Sequence, residues 1–178
     1  MRPGAEVRRH VLLVGLPGSG KSTVGQLVAE GLPASLLDID GILVRQMGMP
    51  IAQIFGMVGE PRFRAMERDA VATAQAREPA VIVPGGGWAA QPGQMESARA
   101  GCLIMYLKCL ATTAARRSEQ GEARPLLAGA DPVEQVRGLL AAREPFYKLA
   151  HYEVAADSRP AAQVAEEVIR LARQHGGW

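Results

Sequence analysis

Gly15-Leu16-Pro17-Gly18-Ser19-Gly20-Lys21-Ser22 satisfies the pattern G-x-x-x-x-G-K-[ST] in full, and Thr23 follows it. Glycines at these positions let the backbone curl so that successive N–H groups face inward, where they bind phosphate oxygens. A helix opening at the end of the loop adds the positive end of its dipole. In that setting the Lys21 ammonium reaches the β- and γ-phosphates of ATP, and the Ser22 hydroxyl is a ligand for Mg²⁺. A chance glycine turn would carry the same letters. Context separates the two: an apolar run, His10–Val14, precedes the motif, and Val24, Leu27 and Val28 follow at helical spacing. The motif names the phosphate donor but not the acceptor, because GTPases, motor ATPases and small-molecule kinases share it.

Residues that could handle the acceptor lie further on. Asp38 and Asp40 flank one residue at the end of a predicted strand, so a period of two would aim both carboxylates to one side. At the carboxyl edge of an open α/β sheet they would face the phosphate loop, one toward Mg²⁺ and one toward a hydroxyl proton. An ordinary Asp-rich turn or helix cap is an equal alternative. Arg64 and Glu67, three apart on a predicted helix, share a face, as a plain surface ion pair would. Gly85-Gly86-Gly87 permits close backbone approach to a ligand, or simply a flexible turn. Arg124 and Arg143 precede prolines and stand out less by themselves.

The elements that must position these groups alternate between strand and helix. Strands are expected at His10–Val14, Leu36–Asp40, Ala80–Val83, Gly101–Leu107 and Tyr152–Ala156. Helices are expected from Ser22 to Gly31, in short pieces across 42–58, from Pro61 to Arg77, over 111–119, from an Asp131 cap to about Arg143, and from Pro160 to Arg173. Residues 120–125 are polar and contain glycine, so they are expected to be loop. Such alternation implies a parallel sheet covered by helices, in one domain, with no repeat or linker.

Bulk properties agree. With 178 residues, 48% apolar and 21% charged, the chain can bury a core and is not a disordered segment. A net charge of +2 gives no footprint for nucleic acid or a membrane surface. Only three of the twenty basic residues are lysines, a bias that base composition explains and that also suits carboxylate and phosphate recognition. Cys102 and Cys109, in an apolar stretch and without metal-ligand spacing, are expected to be buried free thiols. The apolar stretch after the basic N-terminus is too short for a secretory signal, so a cytoplasmic protein is expected.

Taken in order, Gly20-Lys-Ser-Thr, Asp38-x-Asp40, Gly59-Glu60-x-x-Phe63-Arg64-x-x-Glu67, Gly85-Gly-Gly87, Arg124-Pro-Leu-Leu and Arg143-x-Pro145-x-Tyr147 resemble shikimate kinases across residues 11–172. The resemblance implies a P-loop kinase fold with a five-stranded parallel sheet, a substrate-binding segment at about 40–70 and a mobile lid at about 116–128. It implies transfer of a phosphoryl group from ATP to the 3-hydroxyl of shikimate in the route to chorismate and the aromatic amino acids, by a monomer. Asp40 would bind the hydroxyls and assist deprotonation, with Lys21 and Arg124 as the other catalytic groups. Arg64 and Arg143 would clamp the carboxylate, Glu67 would orient Arg64, and Gly85, Gly86 and Gly87 would offer backbone groups. Ile51, Phe55, Phe63, Pro125 and Leu126 would line the pocket. Gly15, Pro17, Gly18, Ser19, Gly20, Lys21, Ser22 and Thr23 would hold the phosphates, and Arg117 would stack on adenine. Arg159, in a 157–160 loop, would border the base, and Asp38 would join Ser22 at Mg²⁺. Val44, Pro84 and residues 88–95 depart from the family pattern. A kinase for another polyol acid such as gluconate would not require the Arg64–Glu67–Arg143 set. A non-catalytic nucleotide or effector sensor would be expected to carry a further domain.

Overall fold

The computed structural model describes residues 7–119 and 131–178. Five strands form one all-parallel sheet: β1 (His10–Val14), β2 (Leu36–Asp38), β3 (Val81–Val83), β4 (Cys102–Lys108) and β5 (Tyr152–Ala155), in the order β2-β3-β1-β4-β5. Every residue of β1 and β3 is buried, and only Lys108 of β4 is exposed, as expected of strands covered on both faces. Helix α1 (Lys21–Gly31) follows the phosphate loop. Then come α2 (Ile39–Met47), α3 (Ile51–Val58), α4 (Glu60–Gln75), α5 (Gln94–Ala98), α6 (Ala111–Glu119), α7 (Pro132–Tyr147) and α8 (Ala161–His175).

Helix α8 shows why these pieces assemble. Val164, Ala165, Val168, Leu171 and Ala172 recur at three- and four-residue spacing, all are buried, and the helix packs on α1. Among the described residues no single helix is long and apolar enough to cross a membrane. Helices α2 and α3 would reach that length together, but they bend by 69° at their junction and both pack on α4.

Three local expectations change. Strand β2 ends at Asp38, which caps α2 by accepting from the Gly41 N–H at 3.5 Å, so Asp40 stands in the first helical turn rather than on the strand. The cap competes with strand extension because an Asp side chain satisfies a helix N–H that otherwise lacks a partner. Helix α7 does not stop before Pro145 but runs to Tyr147. Proline costs a single hydrogen bond in that last turn, where Lys148 N–H still reaches the Glu144 carbonyl at 2.9 Å. Helix α5, too short to announce itself by periodicity, was not expected; Met95 and Ala98 bury its inner face.

Candidate active site

Apart from Arg159, in the loop after β5, the predicted site segments that are described leave the carboxyl ends of β1, β2 and β3 or belong to helices. Here, as in open α/β sheets generally, connections diverge from the central strand and leave a crevice. A cleft of about 300 Å³ opens there, lined by the phosphate loop, Asp38, Asp40, Val83 to Gly86 and Arg117.

The loop takes the form its glycines allow. Gly18 and Gly20 have φ of +82° and +93°, and a Cβ at Gly18 would fall on the Ala114 carbonyl. Gly20 caps α1, so the helix N-terminus opens onto the cleft. Lys21 is buried and donates from Nζ to the carbonyl oxygens of Gly15 and Leu16, both at 2.8 Å. Ser22 Oγ donates to Asp38 Oδ2 at 3.0 Å, placing one hydroxyl and one carboxylate side by side at the phosphate end. Arg117 of α6 also lines the cleft and donates to the Ser19 and Ala156 carbonyls at 3.4 and 3.3 Å.

The second half of the site gathers around the glycine triplet after β3. A Cβ at Gly85 would collide with Glu67 Oε1 and stand 3.1 Å from Asp40 Oδ1. At Gly86 it would lie 2.8 Å from Pro17 Cδ and 3.2 Å from Arg143 Nη1, and at Gly87 2.5 Å from Arg64 Nη1. The triplet is thus glycine because three elements, α2, α4 and α7, bring charged side chains against its backbone, while its other side touches the phosphate loop.

Arg64 and Glu67 do share a face of α4 and are bonded at 2.7 Å. Glu67 is only 1% exposed, which removes the plain surface-pair reading. Burial pushes its carboxyl above the ordinary range; Arg64 opposes this, Asp40 adds to it, and Arg143 opposes it. Arg143 is 6% exposed and its Nη1 has no hydrogen-bond partner. Tyr147, one turn further along α7, donates to the Gly86 carbonyl at 2.7 Å, and burial pushes its hydroxyl up to about 12.

Phe55 and Phe63 pack with ring centroids 5.4 Å apart, and Phe63 is buried while Ile51 and Phe55 are half-buried. These three belong to α3 and α4 and do not line the 300 Å³ cleft itself. Arg159 is placed away from the cleft lining, paired with Glu167 of α8 at 2.7 Å and donating to the Ala155 carbonyl at 3.0 Å. Arg124, Pro125, Leu126 and most of the expected lid lie outside the described residues. Cys102 and Cys109 are buried and free. Sequence reasoning missed Gln91, which donates to Glu67, and Arg68, which donates to Gln91. Neither belongs to a motif, and no spacing connects them.

Comparison with known proteins points to one family. The sequence model of the shikimate kinase family matches residues 17–173. The shikimate kinase of Mycobacterium avium is 44% identical over 139 residues, 78% of each chain. That of Caldanaerobacter subterraneus is 38% identical over 162 residues, 91% of this chain and 95% of the relative. A solved structure of Acinetobacter baumannii shikimate kinase in complex with shikimate superposes with a TM-score of 0.89 at 31% identity, covering 95% of each chain. A gluconokinase from Sinorhizobium meliloti shares the fold, with a TM-score of 0.65 at 18% identity. With its P-loop abutting a glycine triplet ringed by Asp40, Arg64, Glu67 and Arg143, the chain belongs to the shikimate kinase family.

Proposed function

We propose that this enzyme transfers the γ-phosphoryl group of ATP to the 3-hydroxyl of shikimate, giving shikimate 3-phosphate and ADP. The observation that carries the acceptor half is Arg143: a buried guanidinium whose Nη1 lacks a partner, set beside the triplet that Arg64 also touches. A buried, unsatisfied cationic donor is costly unless a ligand supplies the acceptor. Two guanidinium forks converging on one backbone segment suit a planar carboxylate. Gluconate also carries a carboxylate, and the fold is shared with a gluconokinase, so turnover must decide between the two.

In the step itself the 3-oxygen of shikimate bonds to the γ-phosphorus as the bond to the β,γ-bridging oxygen breaks, and that electron pair leaves on ADP. Asp40, at the triplet and in the cleft, takes the hydroxyl proton. Lys21 and the N–H groups at the start of α1 hold the phosphates in line, and catalysis is mainly positioning and charge neutralisation. Ser22 and Asp38 fit Mg²⁺: one hydroxyl and one carboxylate 3.0 Å apart at the phosphate end, with no cluster of three metal-ligating side chains among the described residues. Two protein groups would suffice for an ion that retains water readily, and bound there it would neutralise phosphate charge. Arg124 is assigned to the transferred phosphate, and Arg117 to stacking on adenine. The reading assigns the reaction to a monomer working in the cytoplasm.

Purified protein with Mg²⁺ and ATP, assayed for ADP release with shikimate, gluconate and quinate in turn, tests the reading. Shikimate-dependent turnover well above the other two is expected. Folded protein that turns over gluconate, or none of the three, refutes it.

A further inference from the structure

Behind the Arg64–Glu67 pair lies a second layer with no counterpart in the motifs. Gln91 follows the glycine triplet through two consecutive turns, Trp88 N–H to the Gly85 carbonyl at 3.2 Å and Gln91 N–H to the Trp88 carbonyl at 3.1 Å. Its side chain, 9% exposed, reaches back to α4. There Nε2 donates to Glu67 Oε2 at 3.3 Å, and Oε1 accepts from Arg68 Nη1 at 2.5 Å. The orientation of the amide follows from its partners, since a carboxylate only accepts and a guanidinium only donates. Glu67 Oε2 therefore receives two donors, Gln91 on one side and Arg64 Nη1 at 2.7 Å on the other.

We propose that Gln91, itself held by Arg68, is a positioning residue that fixes the Glu67 carboxylate and thereby aims Arg64 at the carboxylate of the acceptor. The proposal rests on the shikimate kinase reading above. Three charged groups face Glu67: Arg64 on its own helix, Asp40 from α2 and Arg143 from α7. Asp40 repels it, so a neutral donor on the remaining side supports the ionised form without adding a charge that would compete with substrate. Gln91 also ties α4 to the turn after the triplet, so the arginine and the backbone it touches are registered to each other. Without that donor a carboxyl already raised by burial takes up its proton at still higher pH, and Arg64 loses its anchor.

The test is steady-state kinetics of Gln91→Glu, Gln91→Leu and Arg68→Met between about pH 6 and about pH 8, with shikimate binding measured calorimetrically in parallel. Gln91→Glu keeps the acceptor for Arg68 but replaces the donor with a second carboxylate. It should raise the shikimate KM about tenfold, leave the KM for ATP within about twofold, and move the acid-side rise in shikimate KM to higher pH. Gln91→Leu should show the same split, and Arg68→Met a smaller rise of the same kind. If Gln91→Glu superposes on the unaltered protein in its shikimate pH profile, or if both KM values rise together, the positioning role is wrong. Should the Gln91 variants fail to fold, Arg68→Met decides, and an unchanged shikimate KM there overturns the proposal. Absence of shikimate turnover in the unaltered protein would instead sink the parent reading.

Discussion

Arg143 and Lys21 are both buried cations in the site, yet they stand differently toward a ligand. Lys21 has two backbone carbonyls within 2.8 Å, so the loop holds its ammonium in place before any phosphate arrives. Arg143 keeps Nη1 unsatisfied beside Gly86, a local cost that substrate binding would recover. Replacing it with methionine fills similar volume and removes the buried charge. Arg143→Met should therefore lower kcat/KM for shikimate by roughly 2–4 kcal/mol, with the KM for ATP nearly unchanged. Its Tm should hold or rise, since function rather than stability retains that charge. Kinetics with each substrate varied in turn, alongside thermal melts, check this; equal damage to both substrates would contradict the carboxylate role.

At the scale of elements, the last turn of α7 decides whether the acceptor side is built. Its continuation past Pro145 brings Tyr147 under the triplet, where the hydroxyl donates to Gly86 at 2.7 Å and the ring packs 5.1 Å from Tyr106. Arg143 stands one turn earlier on the same helix, so the helix end, the glycine backbone and Arg143 are held together. Tyr147→Phe keeps the packing and removes the hydroxyl, leaving the Gly86 carbonyl without that donor. A loss of about 1–3 kcal/mol in urea denaturation is expected, together with a higher shikimate KM. A variant as stable as the parent, with unchanged kinetics, would show that the triplet is held by its other contacts.

Across the whole molecule the two half-sites meet where Gly86 touches Pro17. On the proposed reading phosphate donor and acceptor share one wall at the carboxyl edge of the sheet, with Lys21, Asp40, Arg64, Glu67 and Arg143 carried by the helices around it. Ligands that bind only this folded edge must stabilise the fold. ATP with Mg²⁺ at about a hundred times its Kd should add about 2.7 kcal/mol, a Tm rise of about 5–10 °C at this chain length. Chelation with EDTA should remove part of that gain. A melt insensitive to ATP would contradict the phosphate-loop assignment.

The phosphate loop could be read from sequence because eight consecutive residues set their own backbone: glycines supply positive φ, and the helix that follows supplies the dipole. Strand and helix alternation was likewise visible, since burial imposes its period on neighbouring residues. The ordered string of short motifs carried the family resemblance, although single elements such as Arg64 and Glu67 were indistinguishable from surface pairing. Tertiary structure alone decided that Glu67 is buried, that Asp40 rides on a helix rather than a strand, and that Arg143 faces the triplet. It also brought Gln91 to Glu67 across 24 residues of chain. Such partners meet through packing between elements, which leaves no periodic trace in the sequence, so their chemistry becomes visible only when the sheet has assembled them.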